Sequence, residues 1–127
     1  MPAKKATTPA ELHARFVHGM NSGDLDALLA LYTEDSCLLS SPGDPARGLK
    51  EIREALSMFV ALKPTISLTT RRITGCGDLA LLSSDWKITG SAPDGSRVEM
   101  AGRSAVVARR GSDGNWYYAI DDPNGGD

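Results

Sequence analysis

The 127-residue sequence has little of several things, and each shortage excludes a class of protein. It carries two cysteines, Cys37 and Cys76, too few for a disulfide framework and without the Cys-x-x-Cys spacing of a zinc site. Both thiols read as structural and a reducing cytoplasm is the expected location. No apolar run approaches the roughly 20 residues a membrane-crossing helix needs. The start, Met1-Pro2-Ala3-Lys4-Lys5-Ala6, leads into Thr7-Thr8-Pro9 rather than into the apolar stretch of a secretory signal, so no membrane partner is expected. Basic charge is not in excess: 14 Lys and Arg stand against 16 Asp and Glu. No field gathers phosphates, and nucleic acid is not an expected partner. Glycine loops that cradle phosphate and nucleophile elbows are missing as well.

What is present is the composition of an ordinary folded protein, 41% hydrophobic and 24% charged. The length suits one domain over residues 1–127, with loose ends expected near residues 1–7 and 124–127. Thr8-Pro9-Ala10-Glu11 opens a first helix with a hydroxyl cap, a proline and a capping-box glutamate. Leu12, Phe16, Val17 and Met20 form its apolar face, and Asn21-Ser22-Gly23 stops it. Asp24 caps a short second helix with Leu25, Leu28, Leu29 and Tyr32 as its buried stripe. Ser36 to Ser40 read as a first strand ahead of the turn-rich Ser41-Pro42-Gly43-Asp44-Pro45. Leu49, Ile52, Leu56, Phe59 and Val60 mark a third helix from Gly48, closed by Lys63-Pro64.

After Pro64 the pattern is strands and turns: Thr65 to Thr74, Leu79 to Gly90, Arg97 to Arg110 and Trp116 to Asp121. Asp94-Gly95 and Asp113-Gly114 supply hairpin turns. Two of these strands are long, which predicts a strongly bent sheet with Gly90 and Gly102 as kinks or bulges. The expected class is α+β: three N-terminal helices packed in the concavity of a strongly curved, mainly antiparallel sheet.

This order of elements, with Asn21-Ser22-Gly23-Asp24-Leu25-Asp26-Ala27-Leu28, Leu31-Tyr32-Thr33-Glu34-Asp35, Gly48-Leu49-Lys50-Glu51-Ile52 and Asp113-Gly114-Asn115-Trp116, resembles the nuclear transport factor two-like superfamily. It looks closest to the SnoaL-like branch, which includes ketosteroid isomerase and polyketide cyclases. The resemblance implies a cone of bent sheet around its helices, the cystatin-like fold, with a pocket opening into the cone and a homodimer as the common assembly. It also implies where catalytic carboxylates would sit. The general base of the ketosteroid isomerases falls at Ser40, whose hydroxyl cannot hold a proton as a carboxylate does. Their second, protonated acid falls near Val106. The usual isomerase route is disfavoured on both counts.

Other residues carry the candidate site. Trp86 shares its parity with Ala80, Leu82, Ser84 and Ile88, so it points inward as a pocket wall, while Asp85 points out. Tyr118 shares a face with Trp116 and Ile120; it and Tyr32 are candidate pocket hydrogen-bond donors. Asp121 and Asp122 are the candidate catalytic acid and base if one is desolvated in the cavity; the other reading makes Asp121 a cap on backbone amides and leaves Asp122 in solvent. Arg103, inside a strand, needs Asp85, Asp121 or an anionic ligand as partner. His13 lies on the stripe of Val17 and Met20, at the rim or in the pocket. His18, five residues on, cannot share a metal with it, and neither metal nor cofactor is expected.

Two readings stay open. One is a cofactor-free proton-transfer enzyme of isomerase, cyclase or dehydratase type, with a pocket on the order of several hundred cubic ångströms for a small hydrophobic molecule. The other is a non-catalytic ligand-binding or protein-association module. Both imply a homodimer through the outer face of the sheet.

Overall fold

The computed structural model describes residues 5–39 and 44–126. Helix α1 (Pro9–Ser22) begins where the capping signal places it. The Thr8 hydroxyl accepts from the Glu11 amide at 3.3 Å, and the Glu11 carboxylate accepts in turn from the amide and hydroxyl of Thr7. It stops at Gly23, whose φ of 69° would strain other residues. Asp24 then caps α2 (Leu25–Leu29) through the Ala27 amide at 3.0 Å.

Tyr32 does not close α2, as its spacing suggests. It is the first residue of strand β1 (Tyr32–Leu38), because the turn at Ala30-Leu31 brings the chain alongside the last strand, where Tyr32 pairs with Tyr118. A two-residue strand β2 (Ala46–Arg47) that the sequence does not announce precedes α3 (Gly48–Val60). Four longer strands follow: β3 (Thr65–Cys76), β4 (Leu79–Ser91), β5 (Arg97–Arg110) and β6 (Trp116–Asp122). They lie in the order β2-β1-β6-β5-β4-β3, antiparallel except for the parallel β1–β6 pair. The fold is α+β, a curled, open mixed sheet with three helices. No helix among the described residues is long and apolar enough to cross a membrane.

The core lies between helices and sheet. Leu12 and Met20 of α1, Leu28 of α2, Ile52 and Leu56 of α3, and Leu82 and Val106 of the sheet are each at most 2% exposed. Removing such side chains from water is worth about 1.5–3 kcal/mol apiece.

Gly90 and Gly102 are not bulges, since β4 pairs with β5 in unbroken register through both. They are glycine because of close approach. A Cβ on Gly90 would stand 2.7 Å from the Leu62 carbonyl oxygen, and one on Gly102 would stand 2.8 Å from the Trp86 ring. The register shifts fall elsewhere: at Thr70/Arg72 in β3, between Tyr32 and Cys37 in β1, and at Val107/Ala108 against β6. In the last, Ala108 faces Tyr118 and Val107 faces Ile120, leaving Ala119 as an extra residue.

The described parts of both chain ends are tied down rather than loose. Ala6 is fully buried and bridges Trp116, while the Gly126 amide donates to the Arg103 carbonyl at 3.0 Å. The backbone hydrogen bonds there compensate for a sequence without periodicity.

Candidate functional site

A cavity opens between the helices and the concave face of the sheet. Its walls are Phe16 and Met20 of α1, Leu56 and Phe59 of α3, Leu38 of β1, and Ile66, Leu68, Trp86, Ile88 and Val106 of β3 to β5. Pro123 stands beside them, and its carbonyl accepts a hydrogen bond from the Trp86 indole at 2.7 Å. The free cavity measures about 70 Å³, and about 590 Å³ of empty space when its open mouth is counted. This free volume is smaller than the several hundred cubic ångströms the sequence suggests, and the large side chains of Phe16, Met20, Phe59 and Trp86 line it.

Four polar residues interrupt this apolar lining: His13, Ser104, Tyr118 and Asp121. Asp121 reaches the cavity only because of the bulge at Ala119. Simple alternation from Tyr118 would turn Ile120 inward and Asp121 outward; the extra residue reverses both. Asp121 is 8% exposed and Ile120 is 45% exposed. The matching irregularity in β1 is held by Ser36, whose hydroxyl donates to the Tyr118 carbonyl and accepts from the Thr33 amide.

The Asp121 carboxylate accepts one side-chain hydrogen bond among the described residues, from the Tyr32 hydroxyl to Oδ2 at 2.7 Å. Burial raises its pKa from 3.8 to about 6; the Tyr32 hydrogen bond pulls the other way, and the Asp122 charge adds to the rise. Tyr32 and Tyr118 are themselves held well above the ordinary tyrosine range by burial and by the Asp121 charge. Their ring centroids lie 5.2 Å apart with the planes tilted by 45°. On the far side of Tyr118, its hydroxyl meets Nδ1 of His13 at 2.6 Å. His13 is 4% exposed, and burial lowers its pKa from 6.5 to about 4. At neutral pH the site therefore holds an ionised carboxylate and a neutral imidazole, joined by two tyrosines in one wall. Such a carboxylate, poised near neutrality in an apolar pocket, can take up and return a proton.

Of the residues singled out in the sequence, the structure brings His13, Tyr32, Trp86, Tyr118 and Asp121 together at this cavity or directly behind its wall. Asp122 sits on the opposite parity, where Oδ1 accepts from the Asn124 amide. Arg103 is not in the cavity either. It lies on the outer face of the sheet and donates to Asp85 at 3.1 Å, with Arg71 on the same carboxylate at 3.6 Å. In β5 it faces away from Ser104 and Val106, so its ion-pair alternative is the one realised. Ser40 lies outside the described residues. Val106 is a buried apolar wall residue, so no acid stands there. Phe16, Met20, Phe59 and Ser104 line the cavity without having been singled out; the first three belong to apolar helix faces that read equally as core.

A curled sheet closed over helices, with an acid buried in the apolar hollow between them, places the chain among the NTF2-like proteins. Residues 13–119 match the SnoaL-like domain model, and the chain belongs to that family. None of the curated proteins matches the sequence. Among solved structures, a ketosteroid isomerase-like protein from Erwinia carotovora atroseptica is similar at 21% identity, over 89% of each chain, with a TM-score of 0.77. A proposed dehydratase of the NTF2-like family from Streptomyces avermitilis is 19% identical over 90% of this chain and 92% of its own, with a TM-score of 0.76. An NTF2-like protein with a cystatin-like fold from Novosphingobium aromaticivorans is 22% identical over 88% and 75%, with a TM-score of 0.74. At these identities the likeness speaks for the fold alone.

Proposed function

We propose that the chain is a small-molecule enzyme that moves a proton on a mainly apolar substrate, with Asp121 as the group that accepts and returns it. The observation that carries this reading is the Asp121 carboxyl itself: buried in an apolar wall, hydrogen-bonded by Tyr32, and half-protonated near pH 6. No residue at Ser40 or Val106 is needed, because the acid comes from the last strand instead. Ionised Asp121 takes a proton from an activated carbon and delivers it elsewhere on the same molecule or to a leaving oxygen, the step shared by isomerase, cyclase and dehydratase chemistry. The similar structures described as ketosteroid isomerase-like and as a proposed dehydratase support that reaction class. The test is deuterium uptake at the α-carbons of cyclohexanone and acetophenone in heavy water, read by mass spectrometry. The protein is expected to accelerate uptake over buffer, and Asp121→Asn to remove the acceleration. Binding of these ketones with no acceleration would favour the non-catalytic ligand-binding alternative.

The proposal includes a homodimer through the outer face of the sheet, in a cytoplasmic setting supported by the two free cysteines. What supports the dimer is a row of apolar residues in register on that face: Leu81 of β4 beside Val107 of β5 beside Ile120 of β6. Leu79, Leu81 and Ile120 are each 45–49% exposed, an arrangement more usual in interfaces than on free surfaces. Light scattering at micromolar concentration is expected to give twice the 13.5 kDa chain mass, and Leu81→Arg with Ile120→Arg to give the monomer. A monomeric wild type would contradict it.

A further inference from the structure

Four facts about His13 point to the ligand. It lines the cavity, it is 96% buried (4% exposed), its Nδ1 is taken by Tyr118, and its Nε2 is buried with no partner among the described residues. The tautomer follows from counting donors. The Tyr118 hydroxyl has His13 Nδ1 as its hydrogen-bond partner among the described residues. If Nδ1 carried the ring proton, the tyrosine proton and the bare Nε2 lone pair would both be buried unpaired. With Tyr118 donating to Nδ1, one orphan is left, an Nε2–H donor. Burial keeps the ring neutral at working pH, so this donor is permanent and carries no charge that would demand an anion.

We infer that His13 is the ligand-reading residue of the cavity: its Nε2–H donates to a single neutral acceptor, a carbonyl oxygen, on an otherwise apolar and small molecule. This rests on the proposed pocket and adds its substrate class. An acid or phosphate is disfavoured, since Asp121 supplies negative charge to the same wall and no cationic side chain among the described residues lines the cavity. Size enters through the free cavity of about 70 Å³, against roughly 150 Å³ for a pocket that takes benzene. A molecule larger than this free space therefore extends through the open mouth of the cavity.

The experiment uses cyclohexanone and methylenecyclohexane, which share a shape and differ in carbonyl oxygen against methylene. Affinities of both are measured for the wild type and for His13→Phe. The ketone-to-hydrocarbon affinity ratio is expected to fall about tenfold in the variant, the worth of one buried neutral hydrogen bond, while hydrocarbon binding persists. Nitrogen NMR of wild-type His13 gives a second readout that does not depend on the variant folding: the Nε2–H resonance should move with cyclohexanone and stay with methylenecyclohexane. Binding of both probes with an unchanged ratio, or equal responses of the imidazole, overturns the role of His13 and leaves the pocket standing. Failure of the wild type to bind either probe overturns the pocket reading and this inference with it.

Discussion

Asp121→Asn is expected to keep ketone binding and to lose α-deuteration by about 10²- to 10⁴-fold, the usual worth of a positioned general base. Asparagine has the size of aspartate, and its amide oxygen can still accept from Tyr32, so the wall keeps its shape. What disappears is the group that changes protonation near pH 6. The wild-type exchange rate should rise with pH through that midpoint, because only the ionised carboxylate abstracts a proton. A variant that exchanges as fast as the wild type would remove Asp121 from the chemistry. Loss of binding together with exchange would make its role structural.

Opposite pH dependences of stability are expected in the Asp121→Asn and His13→Phe variants, hidden from view in the wild type. Asp121 has a folded pKa of about 6, above its ordinary 3.8. As pH rises from 4 to 6 the unfolded chain ionises there and the folded one does not, so stability falls, by about 3 kcal/mol in total. His13 has a folded pKa of about 4, below its ordinary 6.5. Over nearly the same window the unfolded chain gives up a proton that the folded one never held, so stability rises by about 3 kcal/mol. The two nearly cancel: at pH 5 the unfolded pair is Asp⁻ and HisH⁺, while the folded pair is AspH and His. Removing one partner exposes the other. Between pH 4 and 6.5, in denaturant melts at each pH and measured against the wild type, so that the depressed carboxyls Glu11, Asp85, Asp94 and Asp113 cancel, Asp121→Asn should gain stability as pH rises and His13→Phe should lose it. Parallel slopes in the two variants would show that the groups do not titrate as the burial requires.

Much of the frame was legible because it rests on local chemistry. Thr8, Asp24 and the glycines of the Asp-Gly turns announce helix starts and hairpins through bonds made within a few residues. Trp86 could be placed inward because β4 alternates cleanly. The site was legible in part, and its decisive feature was not. Alternation puts Asp121 outside and Ile120 inside; the bulge at Ala119 reverses them, and that bulge is set by how β6 sits against β5 and β1, a pairing between distant segments. The spacing of Tyr32 from Leu28 and Leu29 points to α2, but partnership with Tyr118 in the sheet decides its state. Arg103 required a partner on either reading, but only the register of β4 against β5 showed that Asp85 stands directly opposite.

The same reversal links the two faces of the sheet. It sends Asp121 into the apolar hollow, where desolvation lifts its pKa, and sends Ile120 out to join Leu81 and Val107 in the exposed row. One extra residue thus contributes both to the proposed chemistry and to the proposed dimer face.

The most direct measurement is a carboxyl-carbon NMR titration of Asp121 in the unliganded wild type. A midpoint near 6 is the expected result. A midpoint near the ordinary 3.8 would mean that Asp121 is solvated, and would contradict its placement as the buried proton carrier of the cavity.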